Sequence, residues 1–126
     1  MNVVDSSGWL EFFANAENAT FFSKPIQDTT HLIVPTLSLF EVFKRILQQR
    51  GEDDALLAVA TMQQGQVIDL SPSIALASAK LSTIEQLPLA DSVILATARI
   101  YHATLWTQDA DFKNKGDVRY INKLHK

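Results

Sequence analysis

Cysteine is absent from the 126 residues, which excludes both a disulfide framework and thiolate metal ligation. Glycine and proline are scarce, four of each. They are scattered as local punctuation, so no flexible linker divides the chain and no repeat or low-complexity segment interrupts it. One domain over residues 1–126 is the expectation for a chain of this length. No apolar stretch approaches the ~20 residues that cross a bilayer. The opening "MNVVDSSGWL" lacks the basic n-region and apolar h-region of a signal peptide. The expected protein is cytoplasmic and off the membrane. Phosphate-cradling G-x-G-x-x-G and Walker sequences are missing, as is the G-x-S-x-G elbow of a serine hydrolase. A basic excess is missing too: 11 Lys+Arg face 14 Asp+Glu, a net charge of −3. That argues against a simple phosphate-binding surface. It weighs less if four of the acids form one metal site, since 14 − 4 leaves 10 acids against 11 bases and bound cations reverse the local sign.

What is present is an ordinary globular composition, 47% hydrophobic and 20% charged. Short apolar runs at Asn2–Asp5, His31–Val34, Gln66–Leu70, Ala103–Thr107 and Val118–Tyr120 suit buried strands. Helical patterns fill Ser7–Ala14, Thr36–Arg50, Asp53–Gln64, Pro72–Glu85 and Leu89–His102. Strands separated by helices imply crossovers, hence an α/β fold with a mostly parallel sheet covered on both faces.

Two helices carry acids in telling positions. At about 100° per residue, Leu37, Leu39, Phe40, Val42, Phe43, Ile46 and Leu47 cover one broad arc of the Thr36–Arg50 helix. Glu41 lies in the remaining polar stripe with Ser38, Lys44, Arg45, Gln48 and Gln49. The arc spans roughly 200°, wider than the stripe of a simple surface helix. It suits either a second helix of the same domain or another chain. In the helix opening after Pro88, Asp91 sits in the first turn beside Ile94, Leu95 and Ala98. A carboxylate against such a face needs a compensating partner.

Four acids therefore share one topological position. Asp5 ends the first strand, Glu41 lies early in the helix after the second, Asp91 opens a helix and Asp109 follows "ATLWT". Strand C-termini and the following helix N-termini line one edge of a parallel sheet, where ligands bind. Converging carboxylates repel one another, and Mg²⁺ or Mn²⁺ would compensate them through hard oxygen ligation. Each acid also has an ordinary explanation. Asp5 would cap the next helix, and Glu41 would pair with Arg45 at i+4. Asp91 would complement a helix dipole; Asp109 and Asp111 would serve a turn. Their joint placement on one edge favours the shared site.

The blocks "VVDSSGWL", "LSLFEVFKR", "LPLADSVILATA" and "LWTQDADF" resemble, in order and spacing, the acidic blocks of PIN domains. The likeness is nearest to the VapC-type toxins of toxin–antitoxin pairs and covers nearly the whole chain. The resemblance implies a three-layer α/β/α sandwich, Mg²⁺ or Mn²⁺ dependence and endoribonuclease activity. It also implies a homodimer and inhibition by a small antitoxin. Asp5, Glu41, Asp91 and Asp109 match its metal-site and catalytic acids. Asp111 matches a further acid, so that either it or Asp109 is the main fourth member. Ser7 and Thr107 match hydroxyl positions that orient a carboxylate or water, or else are turn residues.

Other candidates carry less. Lys44, Arg45 and Arg50 either touch RNA phosphates or form a solvated helix face. Phe12, Phe13, Phe21 and Phe22 either receive an antitoxin segment or pack the core. His31, His102 and His125 lack metal-ligand spacing. Two rival functions remain: a non-catalytic PIN-like interaction module, and a receiver-like phosphoacceptor domain with Asp69 as acceptor. The second lacks the expected Lys after its late strand, which reads "WTQDADF".

Overall fold

A computed structural model describes residues 1–124, and His125 lies outside the described residues. The chain runs β1 (Asn2–Val4), α1 (Ser6–Phe13), α2 (Ala19–Gln27), β2 (Leu32–Pro35), α3 (Thr36–Arg50), α4 (Glu52–Met62), β3 (Gln66–Ile68), α5 (Pro72–Glu85), α6 (Leu89–Ile100), β4 (Thr104–Thr107) and β5 (Val118–Tyr120). Short 3-10 turns occupy Thr29–His31 and Ala110–Phe112. Every expected element is present, with ends shifted by one or two residues. The sequence reading passed over α2. Its "TFFSKPIQ" carries Pro25 inside the helix, which argues locally against one, and the Asn18 side chain at its start bonds Gln108 and Asn122 instead of capping it. Tertiary burial of Phe22 and Ile26 supplies what local propensity does not.

The sheet order is β3-β2-β1-β4-β5, and every pairing is parallel. Consecutive strand residues face opposite layers, as a period of two requires. Val4, Leu32, Val34 and Trp106 join a core with Trp9, Phe22, Ile26, Val42, Ile46 and Met62. Val3, Ile33 and Leu105 join the other with Leu87, Ile94, Leu95, Ala98 and Phe112. Helices α1–α4 thus cover one face and α5–α6 the other, a PIN-like α/β/α sandwich. Right-handed crossovers dictate this split: the chain steps β1→β2→β3 in one direction, then returns across the sheet to β4 on the opposite face.

The order overturns the receiver-like reading, which calls for 2-1-3-4-5. Here β3 is an edge strand, so Asp69 after it is exposed at the sheet's margin rather than centrally. The chain adds strands outward from β1 to one side, then from β4 to the other, so the order of succession reverses between β1 and β4. That is the topological switch point, and its carboxyl edge carries Asp5 and the segment after Thr107.

Of the α3 arc, Val42 and Ile46 are buried and Leu39 and Phe43 pack against the first core, with α4 beside them. Phe40 and Leu47 stay exposed. Phe22 is fully buried, and Phe12, Phe13 and Phe21 pack on the same core. Gly8 lets α1 press onto the sheet. A Cβ there would lie 2.6 Å from Phe22 Cε1 and 2.7 Å from Val4 Cγ1. That close approach sets where α1 starts, and therefore where Asp5 points.

Candidate functional site

Asp5 leaves β1 and serves as N-cap of α1, its Oδ1 accepting from Gly8 N at 2.9 Å. The capping and functional explanations of this residue are therefore compatible. Ser7 Oγ lies 2.9 Å from both Asp5 oxygens, and Thr107 Oγ1 donates to Oδ2 at 2.7 Å. Thr107 Oγ1 also accepts from Asp109 N at 2.9 Å. One hydroxyl thus ties the ends of the two central strands together. Asp5 is buried, and burial lifts its carboxyl to about 6, against the opposing pull of the Thr107, Gly8 and Ser7 hydrogen bonds; the Asp109 charge adds to the rise.

Asp91 stands in the first turn of α6. Asp109 caps the 3-10 turn, its Oδ1 accepting from Asp111 N at 2.9 Å. Phe112 is fully buried in the second core and pins that turn, so that Asp111 faces back toward Asp91. One carboxylate oxygen from each of Asp91, Asp109 and Asp111 lies within 4.8 Å of the others. Asp91 is pushed up to about 8, first by desolvation, then by contact with Asp111 and the charges of Asp109, Asp111 and Asp5. Among the described residues, no lysine, arginine or histidine pairs with any of these acids.

Glu41 and Asp5 fall outside the tightest group. Glu41 makes no ion pair with Arg45 among the described residues. Instead, Ser6 Oγ donates to Glu41 Oε1 at 2.6 Å, which links α3 to the first residue of α1 beside Asp5. Sequence reasoning missed Ser6 because "DSS" offers two adjacent hydroxyls and no local signal of which one turns to Glu41.

A second missed feature braces the turn from behind. Asn18 and Gln108 are buried. Asn18 Nδ2 donates to Gln108 Oε1 at 2.9 Å and to Asn122 O at 3.0 Å, and Gln108 Nε2 donates to Glu11 Oε1 at 3.2 Å. Nothing in the spacing of these residues announces the network. Lys44 and Arg45 line a shallow cavity of about 320 Å³ with Glu41. His31 is exposed beside Asp28, Nδ1 to Oδ1 2.9 Å, and His102 is exposed with φ of 53°.

The PIN domain family model matches residues 3–118. Among solved structures, the chain is similar to a toxin–antitoxin complex from Klebsiella pneumoniae, with a TM-score of 0.80, 22% identity, and coverage of 94% of this chain and 96% of that one. It is also similar to the sarcin–ricin loop cleaving toxin VapC20 of Mycobacterium tuberculosis, with a TM-score of 0.77, 14% identity and coverage of 92% and 95%. A third is VapBC2 from Rickettsia felis bound to a promoter DNA fragment, with a TM-score of 0.73, 14% identity and coverage of 96% and 97%. No curated protein matches the sequence. Among the described residues, no helix is long and apolar enough to cross a membrane.

Proposed function

Because the chain belongs to the PIN-domain family over residues 3–118, we propose that it is a metal-dependent endoribonuclease, the toxin of a type II toxin–antitoxin pair. The observation that carries this reading is the approach of the Asp91, Asp109 and Asp111 oxygens within 4.8 Å, beside Asp5 and without a cationic partner. Such a group suits one hard cation. Asp91, Asp109 and Asp111 would each offer it one carboxylate oxygen. The donor set is all oxygen, which favours Mg²⁺ or Mn²⁺ over softer ions.

Asp91, Asp109 and Asp111 would hold the metal, with Asp5 beside them; Asp5, Glu41, Asp91 and Asp109 carry the chemistry. When bound, the ion supplies charge neutralisation at the phosphodiester and acidification of water. Hydrolysis joins a water oxygen to phosphorus and breaks the P–O ester bond; the carboxylates accept the water's proton, and the leaving oxygen takes one up from solvent to become a hydroxyl. Asp5 enters with its rotamer already fixed by Ser7, Gly8 and Thr107, which removes the need to order it during the reaction. Ser6 does the same for Glu41.

Lys44 and Arg45, on the same rim as Glu41, contact RNA phosphate. The antitoxin partner is proposed on the likeness to the Klebsiella complex. A homodimer is proposed on the exposed Leu70, Leu76 and Leu89 around α5–α6 and Phe40 and Leu47 on α3. The test is cleavage of a structured-RNA pool with Mg²⁺ or Mn²⁺, against a chelator. Asp5→Asn should abolish cutting and keep the fold. Undiminished cutting, or cutting that survives chelation, would mean the site is misassigned. A wild type that cuts no RNA would favour a non-catalytic interaction module.

A further inference from the structure

Glu11, Asn18 and Gln108 form a closed ring of hydrogen bonds behind the acid cluster. Gln108 Nε2 donates to Glu11 Oε1 at 3.2 Å, Asn18 N to Glu11 Oε2 at 2.9 Å, and Asn18 Nδ2 to Gln108 Oε1 at 2.9 Å. The second Nδ2 hydrogen of Asn18 goes to Asn122 O at 3.0 Å. Asn18 and Gln108 are both buried, and burying an amide is costly unless its bonds are made. Apolar side chains would fill the same space without that cost. What the ring adds is direction. A carboxylate only accepts, so Glu11 requires the Gln108 nitrogen to face it. The Gln108 oxygen then faces Asn18, whose nitrogen must turn toward it. Reversing either amide sets two acceptors face to face, so the ring has one arrangement.

The ring joins the parts of the chain that carry Asp5 and Asp109. Glu11 lies on α1, which Asp5 caps, and Gln108 directly precedes Asp109. Thr107, one residue earlier, bonds both Asp5 and the Asp109 N–H. Two successive residues thus fix the entry to the turn, and the fully buried Phe112 fixes its exit. Asp109 and Asp111 lie between these anchors. We propose that the Glu11–Asn18–Gln108 ring is a positioning device, holding the strand end so that the Asp109 oxygen already stands beside those of Asp91 and Asp111 when a divalent cation arrives. The inference rests on the metal-dependent nuclease reading and adds residues that act through Asp109 rather than on the metal. Order present before binding is order that the metal does not have to impose, so it appears as affinity.

The test is Mn²⁺ affinity, read from the electron paramagnetic resonance of the free ion. It compares wild type with Glu11→Gln, Gln108→Glu, the exchanged double Glu11→Gln/Gln108→Glu, and Asn18→Ser. Glu11→Gln sets two donors face to face, and Gln108→Glu sets two carboxylates face to face. The exchange restores the ring: the new amide at position 11 accepts from Asn18 N and donates to the new carboxylate at position 108, which still accepts from Asn18 Nδ2. Both single variants should weaken Mn²⁺ binding by about ten-fold, the low end for lost support behind a metal ligand. The double should return close to wild type. A charge effect alone moves the two singles in opposite directions, because one removes a negative charge near the site and the other adds one. Asn18→Ser changes no charge and should weaken binding as well. At one fixed Mn²⁺ level, kcat for RNA cleavage should follow the same order with KM unchanged. Thermal melts in chelator check folding, and Asn18→Ser carries the comparison if Gln108→Glu does not fold alone. Wild-type affinity in Asn18→Ser, singles displaced in opposite directions, or a double no better than the weaker single would overturn the positioning role and leave the nuclease reading standing. A wild type that binds Mn²⁺ but cleaves no RNA sinks the nuclease reading alone, since the ring's effect is still read from affinity. A wild type that binds no Mn²⁺ overturns both.

Discussion

Replacing Thr107 by valine probes how the centre of the site is held, because it preserves shape and removes one hydroxyl. Thr107 is fully buried. Its Oγ1 donates to Asp5 Oδ2 at 2.7 Å and accepts from Asp109 N at 2.9 Å. A hydrogen bond to a charged group contributes about 1.5–3 kcal/mol, and an orphaned donor costs about 1–3 kcal/mol when sealed from water. The half-buried Asp109 N–H retains access to solvent, so its share lies at the low end. The expected loss with Asp5 ionised is about 2–4 kcal/mol.

The pH dependence is the sharper part. Asp5 sits at about 6 in the folded protein against 3.8 for the ordinary group, so folding favours its protonated form. Wild-type stability contributed by Asp5 therefore falls as pH rises from 3.8 to about 6 and is level above that. The Thr107 bond is the foremost influence holding the value down, so Thr107→Val lifts it further. The variant then goes on losing stability above the point where wild type has levelled. The gap between them widens by about 1.4 kcal/mol for each unit of that extra rise. Urea unfolding in chelator, at about pH 5 and about pH 8, reads the gap at the two ends. Comparable losses at both pH values, or a larger loss at the lower one, would refute the idea that the hydroxyl serves an ionised Asp5.

Two further outcomes follow from the cluster and the surface. Asp91 is raised well above its ordinary value by burial and by its acidic neighbours. In chelator at neutral pH, Asp91→Asn should accordingly unfold no more easily than wild type. Wild type should gain about 2.7 kcal/mol once Mg²⁺ or Mn²⁺ reaches about a hundred times its dissociation constant, and the variant much less. A metal-indifferent wild type beside a variant destabilised by about 0.3–1 kcal/mol would reduce Asp91 to a helix-dipole residue. For the homodimer, light scattering should report about twice the 14.0 kDa chain mass. A single-chain mass at micromolar concentration would leave the exposed leucines of α5–α6 without that partner.

The sequence by itself determined the elements other than α2, and the edge on which the acids were expected to lie. Short continuous apolar runs at Val3–Val4 and Leu32–Val34 and the 3.6-residue pattern of α3 and α6 are local, and local pattern is enough to assign them. Alternation of strand and helix was likewise enough to imply a parallel sheet. It followed that Asp5, Glu41, Asp91 and Asp109 belong on one side of the molecule. Strand order was beyond the sequence, because β1 pairs with β2 and β4 across long stretches of chain and no local term encodes that choice. The order put Asp5 and Asp109 at the switch point and moved Asp69 to the margin. Tertiary packing also decided the site's inner arrangement. Burial of Phe112 turns Asp111 into the group with Asp91 and Asp109. The short bond from Ser6 takes Glu41 toward α1 rather than to Arg45. Helix α2, which carries Pro25 in its interior and no side-chain capping bond, exists because its Phe22 and Ile26 are buried. In each case the deciding free energy comes from contacts between residues distant in sequence, which no window along the chain contains.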